Sequence, residues 1–472
     1  MSTSVSHPAD LSVTESGALL AAGDLSAAEL VDACLGRIAE RDGPHSLDGS
    51  PDAINAWIRV YDEDARAAAE DADERLAAAR RGSADQPSAL CGIPVGLKDL
   101  YAVAGRPLTG SSRACDLVPE TDSTVWLRLG DAGMVLLGHL HTHEWAAGGS
   151  TDQVGNPWDT TRTAGGSSGG SAAALAARTV PAATGSDTAG SLRIPSALCG
   201  TSTMKPTRGL IPLDGVLPLA WSLDHPGPMA RTLRDCEAMF HAMLGRPPAP
   251  GALAAPEPSL HGVRLAVSPR LPGVAVDDEV LRSFDAAVDA ARALGATIVD
   301  APAPGGDVEV AERFFAILGT DMLAYHRRHD AVRAQYRAST QELLAFTEAH
   351  PMSVEEYGQA QLLRLEWTAR WEQWFREHRV DAVLEPTVVF TAPARGRGYD
   401  RFIIPDPFTL LTYYWDWTGF PVASLPAGLG DESGLPVGVS VIGAGHTDLR
   451  TLGIGMTLQE ALPPPVAPIN GP

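Results

Sequence analysis

The chain has 472 residues, of which 44% are hydrophobic and 20% charged, and its formal net charge is −22. That composition is globular rather than disordered, and the length suits two to three domains or one large α/β unit. The negative charge argues against a nucleic acid or an anionic membrane surface as partner, and no apolar run reaches the roughly 18 residues of a membrane span. Five cysteines, Cys34, Cys91, Cys115, Cys199 and Cys236, lie far apart without zinc-ribbon or redox spacing, and the acidic start with Asp10 and Glu15 lacks a basic-then-apolar leader. Together these features predict reduced thiols, a cytoplasmic location and no secretory signal.

In chain order, Ser26 followed by Glu29 has the capping-box pattern, and Leu30, Cys34 and Ile38 then recur at helical spacing. An alanine-rich, charge-laced helix is expected from Asp62 to Arg80, followed by a turn-forming loop from Gly82 to Ser88 and a strand at Ile93. From Val135 onward short apolar runs alternate with glycine-rich turns and alanine-rich helices, the mark of an α/β layered sheet. Arg246 to Pro258, rich in proline and alanine, reads as a linker. Beyond it, strands at Val263–Val267 and Thr297–Val299 flank a helix near Asp277 to Leu294. Long helices follow between Val308 and His378, carrying Trp367, Trp371, Trp374 and Phe375, and are expected to cover the site. Val380–Leu384 and Val437–Ile442 read as strands, Leu449–Ala461 as a closing helix, and the proline-rich tail after Leu462 as loose.

The chemistry concentrates in two glycine-serine stretches, Gly165-Gly166-Ser167-Ser168-Gly169-Gly170 and Gly190-Ser191, and in Lys98, which stands between Leu97 and Leu100. A serine hydroxyl is a weak nucleophile that needs a base. Burial lowers a lysine pKa because desolvation disfavours the ammonium, and the neutral amine is such a base. The pattern therefore suggests hydrolysis without histidine. Gly165 to Ala174, Gly185 to Gly200, Met204-Lys205-Pro206-Thr207 and Ser222 to Arg231 together resemble the amidase signature enzymes. Weaker resemblance covers Cys91 to Asp99 and Gly419 to Gly443.

The resemblance implies a large mixed β-sheet sandwiched by α-helices. It also implies a Ser-cisSer-Lys triad in which Ser191 attacks the carbonyl, Ser167, behind a cis peptide from Gly166, relays the proton, and neutral Lys98 accepts it. Thr188-Ala189-Gly190-Ser191 would supply oxyanion donors, although Ala189 stands where the family pattern has glycine. Asp187 and Arg193 read as a charge-assisted pair that fixes the loop, and Ser168 as a hydrogen-bond partner of Lys98 or the loop. His141 to Gly149 would lie along the substrate entrance. No metal or organic cofactor is implied.

Three other signals compete. Gly165 to Gly169 fits the G-x-S-x-G elbow, with His446 as a late base, but the preceding Asn156–Thr163 is polar and turn-like rather than a buried strand. His139, His141 and His143 alternate as zinc ligands can, with no clear carboxylate-and-histidine set to complete a metal-dependent amidohydrolase. The glycine-rich loop lacks the lysine and Ser/Thr terminus of a phosphate-binding loop.

The expected activity is hydrolysis of the C–N bond of an amide, aryl amide or carbamate, with urethanase or esterase activity and an amidotransferase-type subunit in a partner complex as alternatives. The expected partner is a small-molecule substrate, and the expected state a monomer or homodimer. Tyr413, Tyr414, Trp415, Trp417, Phe420 and Trp221 are candidates to line an apolar pocket. Glu385 reads as solvent-exposed. The chain divides into an N-terminal helical region (1–85), a catalytic core (86–245), an excursion over the site (246–380) and closing strands and helix (381–472), all one catalytic unit.

Overall fold

Local signals start several helices. Ser12 with Glu15, Ser26 with Glu29 and Ser353 with Glu356 form reciprocal capping boxes at the N-termini of Val13–Ala22, Ala27–Arg41 and Val354–His378. Each box satisfies donors that the first helical turn leaves unpaired. The computed structural model describes residues 7–253, 256–267, 274–305, 307–396 and 406–465, and of Asp307 and Val308 the backbone alone. The expected loose tail lies outside the described residues beyond Pro465, as do residues 254 and 255 of the expected linker. The expected helix over Asp62–Arg80 forms with those bounds.

Among the described residues eleven strands make one mixed sheet, flanked by helices as expected. Across the sheet the strands run Trp57–Val60, Val135–Leu140, Pro94–Lys98, Ala182–Asp187, His225–Ala230, Ser202–Lys205, Val422–Leu429, Pro436–Gly443, Ala382–Pro386, Arg264–Val267 and Thr297–Val299. Pro94–Lys98 pairs in parallel with both neighbours, Val135–Leu140 and Ala182–Asp187, and is buried along its length. Strands buried on both faces read as continuous apolar runs, which accounts for Ile93-Pro94-Val95-Gly96-Leu97. Lys98 ends its strand at the same edge as Ser186 and Asp187 end theirs. In open α/β sheets the crevice outside the carboxyl ends of parallel strands is where ligands bind.

The aromatic residues go to a different place from the one expected. Trp367, Trp371, Trp374 and Phe375 are buried in a second core cluster together with Tyr413, Tyr414, Trp415, Trp417 and Phe420. Trp371 Nε1 donates to Tyr414 Oη at 2.9 Å, and Trp374 Nε1 to the Pro302 carbonyl at 2.8 Å. These rings bury large apolar area and satisfy their polar tips inside the fold. Glu385, expected in solvent, is 1% exposed and accepts from Trp415 Nε1 at 3.0 Å. Its strand, Ala382–Pro386, is interior to the sheet and buried at every position, so the faces it presents are covered.

Candidate active site

Lys98 is fully buried at the end of its strand. Its Nζ lies 2.8 Å from Ser167 Oγ, 2.8 Å from Ser168 Oγ and 2.9 Å from Ser186 Oγ. Burial pulls its pKa down to about 7, against the opposing pull of the Asp187 and Asp224 carboxylates. A neutral amine has two N–H donors and one lone pair, so with three hydroxyls around it one must donate to nitrogen. The Ser168 hydroxyl points to the Ser186 carbonyl at 3.3 Å and therefore accepts from Lys98. The lone pair is left for Ser167 or Ser186.

Ser167 and Ser168 enter the helix Gly169–Ala176, every residue of which is buried. The Gly166–Ser167 peptide is cis. Small residues let this helix come close: a Cβ on Gly170 would stand 2.6 Å from the Ala56 carbonyl oxygen and from the His141 nitrogen.

The loop after Ala182–Asp187 is held from two sides. Asp187 Oδ1 accepts from Gly190 N at 2.5 Å and Asp187 Oδ2 from Leu192 N at 3.2 Å, while Arg193 grips both oxygens at 3.0 and 2.8 Å. Burial alone would raise the Asp187 pKa; the Arg193 guanidinium more than offsets this and holds it well below the usual carboxylate range. Arg193 also donates to Asp416 Oδ2 at 2.5 Å and to the Thr412 carbonyl at 3.0 Å. Thr412 Oγ1 in turn donates to the Ala189 carbonyl at 2.5 Å. Burial raises the Asp416 pKa, so protonation of this cluster falls on Asp416 before Asp187. On the other side, Thr188 Oγ1 donates to Asp224 Oδ1 at 2.6 Å, and burial pushes the Asp224 carboxyl up to about 6.

Of the four N–H groups from Thr188 to Ser191, that of Gly190 is thus committed to Asp187. Ala189 and Ser191 line a cavity of about 470 Å³, together with Ala146, Ala147, Gly148 and Gly149 from the expected entrance stretch. Ser191 is 6% exposed, and among the described residues its hydroxyl has no hydrogen-bond partner, Ser167 included.

One expectation is corrected here, and the competing signals find their places. None of Tyr413, Tyr414, Trp415, Trp417, Phe420 and Trp221 is among the cavity residues; the phenyl rings that line it are those of Phe315 and Phe346, from the helices Asp307–His326 and Ala338–Ala349. Those two helices cover the cavity, while the tryptophans of Val354–His378 turn into the core. The three histidines do not converge: His139 bonds Tyr61 Oη at 2.7 Å and the Tyr101 carbonyl at 3.0 Å, His141 bonds Ser111 Oγ at 3.1 Å, and His143 bonds the Glu144 carbonyl at 3.1 Å. No cluster of three metal-ligating side chains occurs among the described residues. His446 N bonds Thr207 Oγ1, remote from the Ser167 network in its contacts. Ser167 follows a short hairpin, Gly155–Asn156 with Asp159–Thr163, whose second strand is mostly half-buried, rather than a buried sheet strand. Ser186, Asp224, Thr412 and Asp416 escaped the sequence reading. Ser186 and Asp224 lie inside motifs already singled out, whereas Thr412 and Asp416 reach the loop from more than two hundred residues away.

Among the described residues the architecture is an α/β fold with an 11-stranded mixed sheet, and a buried amine at the end of one of its strands meets buried serine hydroxyls. A family model described as Amidase matches residues 44–452, and the chain belongs to this family, the amidase signature enzymes acting on C–N bonds. An amidase of Pseudomonas putida is 36% identical over 432 residues, covering 88% of each chain. A glutamyl-tRNA(Gln) amidotransferase subunit of Mycobacteroides abscessus is 33% identical over 488 residues, covering 94% of this chain and 96% of that one. The solved structure of a peptide amidase from Stenotrophomonas maltophilia matches with a TM-score of 0.78 at 26% identity, over 97% of this chain and 98% of that one. Among the described residues no helix is long and apolar enough to cross a membrane.

Proposed function

We propose that the protein hydrolyses an amide-type substrate through an acyl-enzyme on Ser191. The observation that carries this reading is a buried lysine, its pKa drawn to about 7, in direct contact with Ser167 at 2.8 Å. In this scheme neutral Lys98 draws the proton of Ser167, and Ser167 takes that of Ser191 as its oxygen attacks the carbonyl. The Ser167–Ser191 link closes when substrate binds, as catalytic hydrogen bonds commonly tighten in the Michaelis complex. Negative charge on the carbonyl oxygen meets N–H groups of the Thr188–Ser191 loop, Ala189 and Ser191 foremost, since both line the cavity. Asp187, Arg193 and Ser168 hold this frame, and Gly190 serves it through its backbone shape. The proton then returns through Ser167 to the leaving nitrogen, the C–N bond breaks, and water releases the acid by the reverse path. Each proton is carried by a side chain or by water, so the scheme needs no cofactor.

The stretches 1–85, 86–245, 246–380 and 381–472 act as one catalytic unit in this reading, supported by strands from all four in a single sheet. A carbamate or ester carbonyl meets the same groups. A second reading, in which the chain releases ammonia within a partner complex, is favoured by the names of several relatives. A fluorophosphonate probe, which phosphonylates an activated serine with loss of fluoride, tests the first: mass spectrometry should place the adduct on Ser191, with Ser191→Ala abolishing it and hydrolysis by the isolated chain. An adduct elsewhere, or hydrolysis surviving in the variant, refutes it.

A further inference from the structure

One rim of the cavity, Ala146 to Gly149, begins in a turn that its own backbone resists. Trp145 and Ala146 have φ of +54° and +60°, left-handed values that a side chain disfavours, and both are buried. Two such residues in succession persist only where neighbouring contacts outweigh the strain. The far end of the rim is tied by Asp406, whose Oδ2 accepts from Gly149 N at 3.1 Å and whose Oδ1 caps the 3-10 turn Pro407–Thr409. At the near end the contacts come from the cover. Glu144, 1% exposed, accepts at Oε1 from Ser112 Oγ and at Oε2 from Arg337 N, each at 2.7 Å, and Arg337 is the residue that opens the helix Ala338–Ala349. The Trp145 indole is enclosed by the rings of Tyr325, His326, His329 and Tyr336, with centroids 4.9 to 6.0 Å away. These rings and Arg337 lie at the end of Asp307–His326 and in the joint that leads to Ala338–Ala349. The first of those helices brings Phe315 and Leu318 to the cavity, and the second Leu343 and Phe346.

Resting on the acyl-enzyme reading above, we propose that Glu144 and Trp145 are positioning residues that latch the cover to the rim and so fix the depth of the cavity over Ser191. They act through the rim backbone and through the wall that the two cover helices present. Glu144 takes one hydrogen bond from each side of the seam, and the Trp145 ring fills the box that the joint forms, so strained rim and cover hold each other as one piece. A group that stays close to Ser191 needs only the serines and the loop behind them. One that extends outward lies between rim and cover, where the latch sets the spacing.

Two alkylphosphonofluoridates, with chains of two and eight carbons, test this as second-order rates of Ser191 labelling read by mass spectrometry, each forming an O–P bond with loss of fluoride. Glu144→Gln keeps the size of the side chain but can accept from only one of Ser112 and Arg337, because its other terminal atom is an N–H donor. It should slow the eight-carbon probe about tenfold and leave the two-carbon probe within about twofold of native, the loss of one hydrogen bond to a charged group being of that scale. Trp145→Phe, which keeps an apolar ring in the box, should show the same selective loss, with circular dichroism and Tm checking the fold of both variants. A defect of the fold as a whole slows both probes alike. Equal slowing of the two probes, or a native rate with the eight-carbon probe, therefore overturns the latch and leaves the acyl-enzyme reading standing. Absence of Ser191 labelling in the native protein sinks that reading, and the latch with it.

Discussion

Acidification titrates the group on which the proposed chemistry depends. Burial draws Lys98 to a pKa of about 7, with Asp187 and Asp224 pulling the other way. The neutral fraction is then about one half at pH 7, about one tenth at pH 6 and about nine tenths at pH 8. Because the working base is uncharged, kcat/KM should rise about tenfold per pH unit on the acid side and level off above about pH 8. Asp224, lifted to about 6 by burial, steepens the acid limb when its protonation loosens the Thr188 contact. The same group makes stability depend on pH. In the unfolded chain the lysine keeps its proton up to about 10.5, whereas in the folded chain it loses it near 7. Across that window the unfolded state binds the extra proton, so stability rises with pH; below it both states are charged and the cost of burying an ammonium is carried in full. At about 1.36 kcal/mol per pH unit, the full span is on the order of 5 kcal/mol. Initial rates on a neutral amide between about pH 5 and 10, with urea unfolding near pH 7 and 9, read both effects. Lys98→Met should lower kcat/KM by about 10²- to 10⁴-fold and flatten the stability slope. A rate profile flat from about pH 5.5 to 8.5, or a midpoint near the ordinary lysine value, would refute the reasoning.

Two further substitutions probe the loop. Asp187→Asn turns an acceptor on Leu192 N, Gly190 N and Arg193 into a group with donors, and leaves Arg193 short of a buried partner. Thermal denaturation should register a loss of about 3–5 kcal/mol together with a fall in kcat, and native values of both would contradict the clamp. Gly190 has φ +132°, and a Cβ there would stand 2.2 Å from Thr412 Oγ1. Gly190→Ala should leave the circular dichroism spectrum native while slowing fluorophosphonate labelling about tenfold or more, from backbone strain of order 1–3 kcal/mol and the clash added to it; an unchanged labelling rate would show that the loop tolerates the shift.

Much of the site is written in short stretches of chain. Lys98, Ser167, Ser191, Asp187 and Arg193 each lie in or beside a glycine-rich or apolar run whose chemistry is local, and the structure brings Lys98 to Ser167 and Asp187 to Arg193. The Ser26–Glu29 box and the Asp62–Arg80 helix were equally legible, because capping and helical periodicity act within a few residues. The aromatic residues were misplaced for the opposite reason. Tyr413, Tyr414, Trp415, Trp417 and Phe420 are aromatic whether they face a cavity or a core, and composition carries no information on which wall they meet.

The sequence by itself determined the candidate groups of the site, the starts of the helices and the apolar strand that carries Lys98 into the interior. Only the tertiary structure decided that Glu385 is enclosed and that Asp406 anchors the rim. It also decided that Thr412 and Asp416 hold a loop formed more than two hundred residues earlier. Hydrogen bonds and desolvation act over a few ångströms of space, and between residues so far apart in the chain that distance exists only after the sheet has closed.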